Sequence, residues 1–362
     1  MTPALLLLAL ASAMRAEQGP PVPSKVIFVP LPQAYSLTKH PTLPVLYVGC
    51  SHSPEPKYLV TFRLDSEGKL IADSRRDWPD WFTGGGKNPN LIYTLWRPAI
   101  WPEKAILYLA PSPGYNAHFY TSTNQPEIVA VGLDADGLPT RPLRSLRTAF
   151  TGRISLMGLR CDSTTRRLYT SYYNQFGWCE LDEQGLPVFD RFQTVSGAGL
   201  FWDWVQVPAW QRWFVIPGHD GLGIHQLADH GVKFSQNLYF PDRGYDHSVP
   251  CDNIEVSAQF RKLYLLRSFP GKELMVYSLT REGRLTGLPR FFELGAARAI
   301  RFDFQRGLLY AFSNEWMKTY RLDEHGHPFG AATVSALRCG ELRDILVDEI
   351  TGKVYVACTQ PP

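Results

Sequence analysis

Ile300-Arg301-Phe302-Asp303-Phe304-Gln305-Arg306-Gly307-Leu308-Leu309-Tyr310-Ala311-Phe312, followed ten residues on by Leu322-Asp323-Glu324-His325-Gly326, is the stretch that decides the fold. Apolar and polar residues alternate from Ile300 to Phe304, the period of a strand with one face buried. Gln305-Arg306-Gly307 turns, Leu308 to Phe312 is a second strand, and Trp316 to Leu322 is a third. The Asp-Glu-His-Gly turn then leads into a fourth, more irregular strand. Four antiparallel strands joined by tight turns, with no helical period around them, form one blade of a β-propeller.

The same phrase recurs along the chain. Its strand core reads Leu46-Tyr47-Val48, Leu107-Tyr108-Leu109, Leu168-Tyr169-Thr170, Trp213-Phe214-Val215, Leu263-Tyr264-Leu265, Leu309-Tyr310-Ala311 and Val354-Tyr355-Val356, seven copies in all. Steps between the central aromatics are 61, 61, 45, 50, 46 and 45 residues, a blade-sized period with insertions in the first two copies. The turn recurs as LDSEG at Leu64, LDADG at Leu133, LDEQG at Leu181, LADHG at Leu227, LTREG at Leu279 and LDEHG at Leu322, six turns for seven copies. The last copy has no outer strands of its own, and Lys25 to Pro30 is an isolated strand-like stretch ahead of the first. We therefore expect an all-β, seven-bladed β-propeller of four-stranded antiparallel blades, closed by N- and C-terminal strands that share one blade. Blades fall near residues 37–79, 90–150, 153–197, 200–240, 251–295 and 296–337, with the seventh composed of 339–362 and 25–35. Closure removes the sheet edges that would otherwise recruit other chains.

Composition agrees with one closed domain. Charged residues make up 20% and hydrophobic residues 44%, and aromatics at 13% suit flat sheets packed face to face. A net charge of +3, with no run of Lys or Arg and no basic helix, excludes nucleic acid as a partner class. Residues 1–16 read as an export signal, with an apolar core from Ala4 to Leu10 and small residues at Ala11-Ser12-Ala13 or Ala16 for cleavage. That core is too short to span a bilayer. The expectation is a monomer of one domain, residues 17–362, exported to a periplasmic or extracellular space. The chain has six cysteines. Cys50 and Cys358 hold the same position after the central aromatic of the first and last copies; a disulfide across the closing junction and two buried thiols both fit that placement. No CxxC spacing supports structural zinc.

Two phrases, DEITGKVYVA at 348–357 and MVYSLTREGRL at 275–285, resemble the seven-bladed lactonase-type propellers and the related YVTN-repeat proteins. The resemblance covers almost the whole mature chain and implies the propeller fold. It also implies, as an activity, hydrolysis of sugar lactones or action on carboxymuconate-like lactones, although the family includes propellers without a known reaction. In the lactonase branch a His commonly begins an inner strand near the central channel. Here the matching stretch places Asp252 or Asn253 at that point.

Propeller ligands sit at one mouth of the channel, where loops entering the innermost strands converge over a rigid scaffold. Counting back eleven or twelve residues from the central aromatics gives Trp96 and Arg97, Met157 and Gly158, Trp202 and Asp203, Asp252 and Asn253, Arg298 and Ala299, and Arg343 and Asp344. An Arg fork holds a carboxylate, an Asp activates water, and a Trp face stacks on a sugar ring. As catalytic candidates we take Asp203 and Asp252 to activate water and Arg298 and Arg343 to stabilise an oxyanion. Trp96, Arg97, Trp202, Asn253 and Asp344 are the ligand-binding candidates. The plain alternative is that these charges pair across blades and line a wet channel. No cofactor is required; calcium is the ion that Asp203, Asp252 or Asn253, and Asp344 would suit, with an incomplete ligand count.

The leading expectation is a non-catalytic propeller that binds a small polar ligand or a protein at the channel mouth. The rival is a lactone or ester hydrolase. Other motifs recede: Asp134-Ala135-Asp136-Gly137 aligns with the other hairpin turns; 348–353 lacks the Trp of a quinoprotein docking phrase; and His219, Asp220, His225 and His230 are spread along a blade. The excess residues of the first two copies, at 78–90 and 111–126, are aromatic and loop-like, with Tyr115 and His118 the residues to test.

Overall fold

The computed structural model describes residues 26–50, 59–78, 93–113, 127–147, 156–172, 175–196, 201–217, 221–228, 231–239, 254–266 and 273–359. These form an all-β, β-propeller-like structure whose sheets follow one another along the chain. Sheet one contains Ala34–Lys39, Val45–Cys50, Leu59–Arg63 and Arg76–Trp78; sheet two contains Ala99–Trp101, Ile106–Leu109, Glu127–Leu133 and Pro139–Arg147. Sheet three contains Leu156–Asp162, Arg167–Tyr172, Gln175–Leu181 and Pro187–Ser196; sheet four contains Phe201–Val207, Arg212–Pro217, Gly221–Ala228 and Gly231–Tyr239. Sheet five contains Ile254–Ser257, Lys262–Leu266, Glu273–Leu279 and Leu285–Glu293; sheet six contains Ala299–Asp303, Leu308–Phe312, Trp316–Leu322 and Pro328–Ala336. Each is an antiparallel meander, as the alternating pattern and the Gly turns require.

The last sheet departs from the four-stranded expectation. Leu342–Asp348 and Lys353–Cys358 are joined by Val26–Phe28, giving three strands, and the N-terminal strand pairs in parallel, Val26 with Val354 and Phe28 with Val356. Direction explains this. The N-terminal strand must deliver the chain to the start of Ala34–Lys39 across a short link, Val29 to Gln33, so it runs the same way as the second strand of its sheet. In third position that direction makes the pairing parallel.

Apolar clusters lie between successive sheets rather than within them. Val45, Tyr47, Leu107 and Val129 join sheets one and two, and Ile106, Tyr108, Leu159 and Leu168 join two and three. Phe214, Ile224, Leu263 and Met275 join four and five, Tyr264, Val276, Ile300 and Leu309 join five and six, and Tyr310, Phe312, Val354 and Val356 join six and seven. Val48, Val60 and Phe62 pack with Tyr355 and Ala357, so sheet seven also rests on sheet one. Between sheets three and four, Gln206 Nε2 donates to Asp162 Oδ2 at 3.0 Å.

The repeat phrase has a physical role at these junctions. Tyr47 Oη donates to the Gly137 carbonyl at 2.5 Å, Tyr108 to Gly185 at 2.6 Å, Tyr264 to Gly326 at 2.8 Å and Tyr355 to Gly68 at 2.6 Å. The strand Tyr of one sheet is thus tied to the Leu-Asp-x-x-Gly turn of the next, and Tyr355 ties the last sheet to the first. Burial holds all four hydroxyls well above the ordinary phenol range, so they remain donors. Within the turns, Asp65, Asp134, Asp182 and Asp323 each accept two backbone N–H bonds on Oδ1, which is turn geometry and not calcium ligation.

Gly326 sits at φ 80°, and a Cβ there would lie 2.6 Å from Tyr264 Oη and 2.7 Å from the Phe260 Cβ and Cγ. Gly326→Ala should therefore destabilise the fold by roughly 2–4 kcal/mol, combining left-handed backbone strain with a forced shift of the junction. A urea titration followed by tryptophan fluorescence measures this; an unchanged midpoint would mean the junction is loose.

Among the described cysteines, Cys50, Cys179, Cys339 and Cys358 are buried and Cys161 is half-buried. Cys50 and Cys358 lie buried in two different apolar clusters, so the second of the two readings of that pair describes them. Burial pushes the Cys161 and Cys179 thiols up to about 12, which leaves them protonated and unreactive at neutral pH. No helix among the described residues is long and apolar enough to cross a membrane.

Candidate functional site

A common cavity of about 390 Å³ is lined by the first strand of every sheet but the second, where Trp96, Arg97 and Pro98 ahead of the strand take that place. Strand register determines which residues face it. Opposite the central aromatics, on the first strands, stand Thr38, Ala99, Arg160, Val205, Glu255, Arg301 and Leu346. All but Ala99 line the cavity, so this layer, nine residues before each aromatic, is the channel wall. The described residues eleven and twelve before lie higher, near the strand starts, where register shifts in sheets one, three, four and seven mark the mouth. Tyr35, Trp96, Arg97, Gly158, Arg343 and Asp344 line the cavity there.

Asp344 is the centre of the mouth. It is 3% exposed, and its four lone-pair directions meet four donors. Arg97 Nε donates to Oδ2 at 3.0 Å and Arg97 Nη2 to Oδ1; the Leu37 N–H donates to Oδ2 and the Ile345 N–H to Oδ1, each at 2.7 Å. A carboxylate so occupied joins sheets seven, one and two, and is not poised to take a proton from water. Arg301 extends the network: Nη2 lies 4.0 Å from Asp344 Oδ1, Nε donates to the Ile345 carbonyl at 3.0 Å, and Nη1 donates to Glu255 Oε1 at 3.0 Å. Charge therefore alternates Glu255, Arg301, Asp344, Arg97 across sheets five, six, seven and two. The pairing of channel charges weighed from sequence describes this part of the site.

Arg343 pairs with Glu341 at 2.8 Å, and its Cζ lies 5.3 Å from the Tyr35 ring centroid, a cation–π distance. Tyr35 in turn meets Trp96 edge to face at 4.8 Å. The mouth thus offers an aromatic corner beside a guanidinium. Deeper in, Glu255, whose side chain is 26% exposed, and Arg160 face the same cavity as Arg301.

The residues named from sequence separate accordingly. Trp96, Arg97, Arg343 and Asp344 converge on one cavity, as do the backbone positions around Gly158. Arg298 is not among its lining residues; its N–H donates to the Phe312 carbonyl at 2.6 Å as the strand of sheet six begins. Trp202 and Asp203 lie on the strand Phe201–Val207, with Asp203 in register with Ile216. Asp252 and Asn253 fall outside the described residues, as do His118, Tyr115, His219, Asp220 and His230. Of the oxygens considered for calcium, those of Asp344 are held by Arg97 and backbone N–H groups. Sequence reasoning missed Tyr35, Arg160, Glu255 and Arg301. The same eleven-or-twelve count applied to Tyr47 finds Tyr35. The other three needed the register, because a polar residue inside an apolar strand reads as its solvent face.

No protein-family model and no curated protein matches the sequence. Solved structures do resemble the fold. A protein from Lactobacillus plantarum is 15% identical with a TM-score of 0.62, covering 86% of this chain and 87% of its own. A candidate 6-phosphogluconolactonase from Bacteroides uniformis is 13% identical with a TM-score of 0.60, covering 87% and 88%. The periplasmic gluconolactonase of Pseudomonas aeruginosa is 10% identical with a TM-score of 0.61, covering 83% and 85%. At these identities the likeness is one of fold, and it is the lactonase-type fold that the repeat phrases resemble.

Proposed function

We propose that the chain is a closed seven-bladed propeller, residues 17–362, exported after loss of a signal at 1–16, which hydrolyses a lactone carrying an anionic group in its central channel. The observation that carries this reading is one carboxylate, Glu255, beside Arg301 in a cavity that Arg160 and Arg343 also line. Glu255 takes a proton from water, and the water oxygen attacks the lactone carbonyl. Guanidinium donors stabilise the tetrahedral oxyanion, the acyl C–O bond breaks, and the proton passes to the leaving ring oxygen. Arg343, with the Tyr35–Trp96 corner, holds the substrate's own anionic group at the mouth. Asp203, Asp252, Asn253 and Trp202 remain proposed contributors from sheets four and five.

Closure is supported by the packing of sheet seven on both sheet six and sheet one, and by the bond from Tyr355 to Gly68. Export is supported by the apolar run from Ala4 to Leu10.

The non-catalytic reading rests on a specific observation as well: Asp344, the mouth carboxylate, has no lone pair left for chemistry. An assay of sugar and carboxylated lactones, with calcium and with chelator, separates the two. Saturable hydrolysis that falls about tenfold or more in Arg343→Gln, through KM, supports the hydrolase. Saturable binding of the same lactones with no turnover would establish the binder instead.

A further inference from the structure

In an antiparallel meander the turn between strands one and two and the turn between strands three and four fall on the same face, opposite the strand-one starts. On that face, between sheets four and five, lies a groove of about 520 Å³, lined by Trp210, Arg212 and Gln226 from sheet four and by Arg281, Glu282 and Arg284 from sheet five. It is the junction where the turn of sheet five meets the turn of sheet four. Trp210 occupies the space above Gly283, whose added Cβ would lie 2.7 Å from the indole.

Four of the six turns, LDSEG, LDADG, LDEQG and LDEHG, carry an Asp directly after the Leu; LADHG has Ala228 there, and the sheet-five turn has Thr280, followed by Arg281-Glu282-Gly283-Arg284. Thr280 Oγ1 keeps the turn, accepting from the Glu282 and Arg284 N–H groups at 3.2 Å, but brings no charge. At the equivalent position of the sheet-three turn, Asp182 pairs with Arg144 at 3.0 Å. At this junction Arg212 has no such answer. It is 8% exposed, its Nε donates to the Glu282 carbonyl at 3.1 Å, and among the described residues it forms no ion pair. Arg281 and Arg284, both exposed, form none either. Burial and the like charge of Arg284 push the Arg212 pKa down, as expected for a cation without its counter-charge, though a guanidinium stays protonated. Burying a cation without a partner is costly, and a bound anion would remove that cost.

We infer that this groove is a second binding site, for a phosphate or sulfate group, on the face opposite the channel mouth, with Arg212 as its buried anchor and Arg281 and Arg284 closing over the anion. Three guanidiniums against one Glu282 leave an excess of two positive charges, matching a dianionic oxyanion group. The site owes nothing to the channel chemistry.

The test is calorimetric titration of the full mature chain with inorganic phosphate and with sulfate at constant ionic strength. Three variants are compared: Arg281→Gln/Arg284→Gln; Thr280→Asp, which introduces the carboxylate that four of the other turns carry at this position; and Arg160→Gln/Arg301→Gln in the channel. The expected result is saturable binding that weakens by about tenfold or more in the first two and persists in the third. Both groove variants are surface changes, and circular dichroism establishes that they fold. Absence of saturable binding in the wild type, or loss only in the channel variant, overturns the inference. Phosphate or sulfate esters of sugars, titrated afterwards, tell a free ion from a conjugated group.

Discussion

Replacing Asp344 with alanine is expected to destabilise the protein by roughly 3 kcal/mol or more, the largest stability loss of any single polar substitution in the channel. Removing one partner from a buried ion pair costs about 3–5 kcal/mol because the other charge stays behind in a poorly solvated place. Arg97 is 27% exposed along its side chain, so water recovers part of that loss and the lower end applies. The Leu37 and Ile345 N–H groups lose their acceptor at the same time, at about 1–3 kcal/mol for a buried unsatisfied donor. Asp344→Asn should cost nearly as much, since its amide nitrogen would face donors wherever it turned. Urea unfolding of both variants measures this, with Arg97→Ala closing a double-mutant cycle. A near-zero coupling energy between Asp344 and Arg97 would show that the mouth network is ornamental.

The second large effect is on turnover. Glu255→Gln should lower kcat of lactone hydrolysis by about 10²–10⁴, the range for loss of a general base, while leaving KM close to the wild-type value. Glutamine keeps the shape and can still accept from Arg301 Nη1, so the wall of the channel stays in place. The same argument distinguishes Glu255 from Asp344. A base must present a lone pair to water, and Asp344 spends all of its capacity on Arg97 and two backbone donors. If Glu255→Gln turned over at the wild-type rate, the proton acceptor would lie elsewhere, and Asp203 and Asp252 would be the residues to replace next.

Much of the architecture was legible in the linear chain because a propeller is local. Each sheet is built from consecutive strands, so the alternation from Ile300 to Phe304 and the turn at Leu322 to Gly326 needed nothing distant to be read. The seventh sheet was the exception. Its two termini were recognisable as partners, but the parallel pairing of Val26 with Val354 depends on which face the chain must reach next. The site was legible only in part for a related reason. Counting from the aromatics locates the mouth and finds Trp96, Arg97, Arg343 and Asp344, yet an offset in sequence does not say which of two neighbours faces the channel.

The sequence by itself determined the sheets, their order, and the meaning of the Asp-rich turns as hairpins. Those properties are set by period, turn chemistry and composition, and each is complete within a few dozen residues. Tertiary structure alone decided that Tyr355 reaches Gly68, that Asp344 is held by Arg97, and that Glu255 and Arg301 form the channel wall. The partners in these contacts stand from 46 to 287 residues apart, and pleat direction and sheet packing, not proximity along the chain, bring them together.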